Sequence, residues 1–253
     1  MARQSGILKF KGTMGGVTFY KSSLDGHLAR EKGGVEASRI ANDPAFQRTR
    51  ENGAEFGRAG NASKVLKTSI RPLLLNSADS RMTSRLTKLM VKVLQADTTS
   101  ERGSRNVIDG EAVLLEGFEF NIRGTLGSSL FAPYTTTIDR ATGTITLDVP
   151  QFIAANMLAA PRGTTHFKII SAGMEIDFEG QTYVCSTSES VVMPWDSTLT
   201  PAVTQSNVVT ANSIRPLFLV VGIEFYQMVN GNTYPLKNGA YNPLSLVKVD
   251  GGV

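Results

Sequence analysis

Cys185 is the one cysteine of this sequence, Trp195 the one tryptophan, and His27 and His166 the two histidines. A lone cysteine closes no internal disulfide, which fits a reducing compartment. Most zinc sites and nucleophile–histidine triads lack the material to form, and Cys185 reads as a small hydrophobe in a strand. Long apolar runs are missing as well. The longest, Leu217 to Met228, is interrupted by Glu224 and Gln227 and is too short to span a bilayer. Met1-Ala2-Arg3-Gln4-Ser5-Gly6 has no apolar run behind its charge and does not read as a signal peptide. These absences set the expectation of a cytoplasmic protein, or one carried in an assembled particle released from the cell, without membrane contact. No Gly-x-Ser-x-Gly, His-Glu-x-x-His, Cys-x-x-Cys or calcium-loop pattern occurs. The expectation is therefore no enzyme, no cofactor, no bound metal and no small-molecule substrate.

What is present is ordinary for a globular chain of 253 residues: 41% hydrophobic and 19% charged. The charge is unevenly placed. Residues 1–110 carry 19 Lys/Arg against 10 Asp/Glu, whereas residues 111–253 carry 7 against 12. A basic half joined to an acidic half suggests that the basic part meets either a polyanion or the acidic part of a neighbouring copy.

Residues 1–41 read as an extended β-hairpin arm. Ile7 to Lys11 and Val17 to Lys21 alternate apolar and polar residues with β-favouring side chains. Gly12-Thr13-Met14-Gly15-Gly16 joins them. This stretch is not a phosphate loop, because no Lys-Ser/Thr follows the glycines and the next element reads as a strand. Asp25-Gly26 signals a second hairpin into His27 to Arg30. Three short strands with few large apolar residues make a weak core, so Ile7, Leu8, Phe10, Val17, Phe19 and Tyr20 are candidates for packing against a neighbour.

Residues 42–106 read as a helical segment. Asp43 is a favourable N-cap with Pro44 in the first turn, and Pro72 is a break. Gly53, Gly57 and Gly60 fall along one helix face, where each costs roughly 1 kcal/mol. Close packing of something against that face would explain them, and so would a frayed helix. Arg81 to Leu94 is the clearest amphipathic helix, with Met82, Leu86, Leu89, Met90, Val93 and Leu94 on one side. Arg81, Arg85, Lys88 and Lys92 lie on another side and form the candidate polyanion-binding stripe. A solvated helix face is the plain alternative. Residues 97–106 are polar and mark the expected domain boundary.

Residues 107–253 read as an antiparallel β-sandwich built of many short strands. Candidate strands are 112–122, 134–139, 142–149, 166–178 with a bend at Ala172-Gly173, 182–186, 217–228 as the buried centre, and 243–249. Glu175, Asp177 and Glu179 alternate with Ile176 and Phe178, so three acids share a strand face. That face reads either as a divalent-cation site or as the solvated side of a sandwich strand. The fold class is α+β: a β-meander arm, a helical segment and a C-terminal sandwich.

Three stretches carry a resemblance. They are Leu219 to Gly231 continuing through Tyr234 to Asn242, Gly12 to Lys21, and Asp43-Pro44-Ala45-Phe46-Gln47-Arg48-Thr49-Arg50-Glu51-Asn52-Gly53. They resemble an uncharacterised family of Bacteroidota-type bacterial proteins. The resemblance implies a bacterial or phage-related intracellular origin and brings no activity or site residue with it. From the residues themselves the expected function is structural: a coat-like or phage-related protein that self-assembles through its arm into a shell, tube or filament, with other copies of itself as partners. Nucleic acid is the second candidate partner, met by the basic helical half.

Overall fold

The structure, a computed structural model, describes residues 2–77, 79–108 and 110–252. The chain divides into two compact units, residues 1–50 and 51–253.

The first unit contains β1 (Ala2–Arg3), β2 (Gly12–Met14), β3 (Val17–Ser22), β4 (Gly26–Glu31) and α1 (Ala37–Asn42). The strands form an antiparallel sheet in the order β1-β4-β3-β2. Gly15 and Gly16 take φ of 54° and 82° between the paired residues Met14 and Val17. Positive φ at both central residues is the geometry that matches strand twist across a two-residue turn, and glycine adopts it without strain. The hairpin is therefore tighter than the five-residue bend expected from sequence. A two-residue turn sets the register so that Gly12–Met14 pair and Ile7–Lys11 do not form the expected strand. Gln4 organises that stretch instead. Its side-chain oxygen accepts from the Phe10 N–H at 2.8 Å and its amide donates to the Leu28 carbonyl at 3.0 Å. The only hydrophobic side chain buried in this unit, among the described residues, is Leu28.

The second unit holds most of α2 (Gln47–Ser69), with α3 (Arg71–Leu74), α4 (Met82–Gln95), β5 (Thr135–Asp139), β6 (Thr144–Val149), β7 (His166–Asp177), β8 (Thr182–Glu189), β9 (Met193–Pro194), β10 (Val203–Val208), β11 (Leu217–Val229), β12 (Asn232–Pro235) and β13 (Leu244–Asp250). β7 and β11 are the spine. They pair antiparallel from Leu217 opposite Glu175 to Tyr226 opposite His166. β8 and β9 flank β7, and β12 and β13 flank β11. A smaller antiparallel sheet runs β10-β6-β5. The expected strand 112–122 is instead a short 3-10 turn, Ala112–Leu115, followed by irregular chain that hydrogen-bonds to β13.

The strand period of two gives the central sheet two buried faces. Ile170, Ala172, Met174 and Ile176 of β7, with Phe218 and Val220 of β11, pack against Leu66, Ile70, Leu86 and Met90 of the helical layer. Phe167 and Ile169, with Leu217, Leu219, Val221 and Ile223, pack against Ile145, Leu147 and Val149 of the small sheet. The unit thus has three layers: helices, central sheet, small sheet. The α+β class and the facing antiparallel sheets stand as expected. The expected boundary at residues 97–106 does not separate two cores. The apolar stripe of α4 needs a surface to bury against, and the central sheet supplies it. The polar loop is an internal connection tied down by Asp97, whose carboxylate accepts from the N–H groups of Thr99, Ser100 and Asn106 at 2.8–3.1 Å. Burial opposes that charge, but these hydrogen bonds outweigh it and hold the Asp97 carboxyl well below the usual range.

Candidate functional site

The arm residues separate into two groups. Ile7 and Leu8 are 101% and 75% exposed. Phe10 and Phe19 meet, ring centroids 5.7 Å apart, and the Arg30 guanidinium lies 5.3 Å from the Tyr20 ring centre. Val17, Phe19 and Tyr20 are only half-buried. The predicted apolar set therefore exists as a partly clustered surface and not as a closed core.

The glycine face is open among the described residues. A Cβ built on Gly53, Gly57 or Gly60 meets nothing within 4 Å. The buried face of α2 is the opposite one, carried by Glu55, Ala59, Ala62, Ser63, Val65 and Leu66. The helix is also unbroken at Gly60-Asn61, so fraying does not explain the glycines either.

The basic stripe loses one member. Arg85 donates to the Glu119 carbonyl at 2.7 Å and to an Asp79 carboxylate oxygen at 2.6 Å, and lies 5.1 Å from the Phe118 ring centre. Asp79 is nearly buried there. It also accepts from the N–H groups of Arg81 and Ile122, at 2.6 and 3.1 Å. Burial pushes its pKa up, but these bonds and Arg85 outweigh it and hold the carboxyl low. Arg85 is thus a clamp between α4 and residues 118–122. Arg81, Lys88 and Lys92 remain exposed.

The acid ladder is not a ladder. β7 ends at Asp177, so Glu179 lies in the following turn. Glu175 is buried and accepts from the Ser213 hydroxyl and the Thr210 N–H at 2.8 and 3.2 Å. Arg215 approaches Glu175 at 3.6 Å and Asp177 at 3.0 Å and compensates both. Asp177 in turn accepts from the N–H groups of Glu179 and Gly180. No cluster of metal-ligating side chains occurs among the described residues. Burial raises the Cys185 thiol to about 11, which removes the thiolate at neutral pH.

A cluster that sequence reasoning did not identify lies at one end of the β7–β11 pair. Lys168 and Glu224 are cross-strand partners, 3.2 Å apart, and Lys168 also meets Glu189 at 2.7 Å. The Tyr226 hydroxyl donates to Glu224 at 2.5 Å and the Asn76 amide donates to its other oxygen at 3.2 Å. These groups border a pocket of about 360 Å³. Burial works against the Lys168 charge, yet the bond to Glu189 and the charge of Glu224 outweigh it and raise its pKa. Burial and Glu224 push the Tyr226 phenol up to about 12. An ammonium held this firmly is neither a nucleophile nor a general base near neutrality, so the cluster reads as a structural ion pair. Its signal was present in the sequence as Glu224 interrupting the longest apolar run.

No helix of the described residues is long and apolar enough to cross a membrane. No protein-family model matches this chain, and no curated protein matches it in sequence.

Proposed function

We propose that this is a non-enzymatic structural protein that assembles with further copies of its own chain through residues 1–50 into a shell, tube or filament. The observation that carries this reading is a folded unit with almost no interior. Its four-stranded sheet buries one hydrophobic side chain, while Ile7, Leu8, Phe10, Met14 and Leu24 face solvent. A unit of about 50 residues is marginal even with a normal core. Fully burying a side chain such as Ile7 or Leu8 is worth about 1.5–3 kcal/mol, and the protein has left that gain unused. Among the described residues the outer edges of β1 and β2 carry no further strand, which suits strand addition by a neighbour. Charge favours a like copy as the occupant: residues 1–50 carry nine Lys/Arg against four Asp/Glu, opposite in sign to residues 111–253.

Light scattering over a concentration series, with negative-stain microscopy, tests the reading. The expected result is a concentration-dependent rise in mass to regular particles, abolished by Ile7→Asp with Leu8→Asp while far-UV circular dichroism is unchanged. A single-chain mass at every concentration overturns it.

A second reading is supported by Lys88 and Lys92 of α4 and by Arg81 just before it, three exposed cations without a carboxylate partner among the described residues. In that reading the helical layer binds nucleic-acid phosphates. Its affinity for random duplex DNA would fall steeply with salt, and Lys88→Glu with Lys92→Glu would remove it. Unchanged binding in that variant at low salt overturns the reading.

A further inference from the structure

The acidic half of the chain contains seven Lys/Arg residues, and they are not distributed at random with respect to its carboxylates. Arg140 pairs with Asp250 at 2.7 Å, Lys168 with Glu189 and Glu224, and Arg215 with Glu175 and Asp177. Lys248 on β13 lies in the field of Asp250 and adds to Arg140 in holding that carboxyl low. The remaining three, Arg123, Arg162 and Lys237, have no carboxylate partner among the described residues and line one open pocket of about 370 Å³. Among the described residues no Asp or Glu borders that pocket. Its wall includes the buried Phe225 and the exposed ring of Tyr241, with the Lys237 ammonium 4.9 Å from the ring centre.

Three elements distant in sequence supply these cations: the turn after Asn121, the loop before β7, and the connection after β12. An anion in this pocket would meet all three cations at once, which favours its binding. The backbone at Lys237 is unusual as well. Lys237 and Asn238 both take left-handed φ, 48° and 51°. Asparagine tolerates that region, but the lysine side chain is strained there. Non-glycine residues held in this conformation concentrate at ligand clamps and switches. Lys237, in this conformation, stands over Tyr241 at the pocket rim.

We propose that this pocket binds a small, multiply charged phosphate-bearing molecule. Its oxyanion would sit between the two guanidinium groups and the Lys237 ammonium, and its organic part would lie against Tyr241 and Phe225. Arginine forks suit phosphate oxygens, and the volume matches small-ligand pockets of about 300–1,000 Å³. The inference is independent of assembly, because every residue in it lies within residues 51–253.

Isothermal titration of the full chain with inorganic pyrophosphate at low ionic strength tests it. The expected result is saturable binding with one site per chain, weakened at least tenfold in Arg123→Ala with Arg162→Ala and unchanged in Lys248→Ala. Lys237→Asn is the decisive variant, since asparagine suits the left-handed backbone. It should weaken pyrophosphate binding while leaving the melting temperature equal or higher. Absence of saturable binding overturns the proposal, as does equal weakening by Lys248→Ala. Displacement of pyrophosphate by single-stranded DNA with an affinity that rises with oligonucleotide length overturns it in favour of a polyanion track.

Discussion

Gly173 of β7 faces Asn207 of β10 so closely that a Cβ added to Gly173 would lie 2.6 Å from the Asn207 Cβ and 3.3 Å from that of Ile145. The two sheets of the second unit meet at this point. The Asn207 amide crosses the same gap to donate to the Ser171 hydroxyl at 2.9 Å. A methyl group here forces the small sheet outward. Gly173→Ala should therefore destabilise the chain by about 1–3 kcal/mol, read as a lower urea midpoint. A change under about 0.5 kcal/mol would mean that the sheets are not locked at this position.

Gly53 and Gly57 should behave in the opposite way. Both are helical and open to solvent, so alanine at either position should stabilise the isolated chain by about 0.4–1 kcal/mol through lower unfolded-state entropy. Thermal unfolding at a concentration below assembly measures this. If the glycine face is instead covered by a neighbouring copy, Gly57→Leu will reduce particle formation in light scattering without lowering the melting temperature of the single chain.

Arg85 and Lys88 are neighbours on α4 with different work. Removing Arg85 leaves the Asp79 carboxylate buried without its counter-charge, and breaking such a pair costs several kcal/mol. Since Arg85 retains some solvent contact, Arg85→Ala should cost about 2–3 kcal/mol in chemical denaturation. Lys88→Ala should stay within about 0.5 kcal/mol. Equal effects would show that the Arg85–Asp79 clamp is not holding α4 to residues 118–122.

Glu119 supplies a pH test. One oxygen accepts from the Leu126 N–H at 3.0 Å, while the other is buried without a well-formed hydrogen bond among the described residues. Burial pushes its carboxyl up to about 7, against the pull of the Leu126 bond, Ser245 and Arg85. A raised carboxyl pKa means that the folded state holds the proton more tightly than the unfolded chain. The stabilisation it brings is complete below about pH 4.5 and lost as pH rises to about 7. Glu119→Gln, a neutral mimic of the protonated form, should raise the melting temperature relative to wild type at pH 8 and much less at pH 5. An equal difference at both pH values would show that Glu119 does not titrate in this range.

Local chemistry was legible where short-range rules decide the outcome. The apolar run Leu217 to Met228, interrupted by Glu224 and Gln227, became the central strand, and the run 166–178 became its partner. Asp43 caps the turn that begins with Pro44, accepting from the Ala45 N–H at 2.9 Å. Pro72 starts α3 in the first-turn position that needs no N–H. The α4 stripe Met82, Leu86, Met90 and Val93 is buried as its period implied. The short strands β9 and β12 carried no such signal, since two to four residues are too few to show alternation.

Composition and periodicity by themselves determined the α+β class, the spine strands, the amphipathic helix and the opposite charge of the two halves, because each depends on neighbours within a few residues. Tertiary structure alone decided which cations are free. Arg85 and Lys88 look alike in the sequence, as do Arg140 and Arg162. Only long-range folding sets Asp79 against Arg85 and Asp250 against Arg140 and leaves Arg123, Arg162 and Lys237 around one pocket. It also set Gly53, Gly57 and Gly60 on the side of α2 opposite its buried residues. Charge compensation and close packing are properties of pairs brought together across the chain, and no local pattern encodes which pairs will meet.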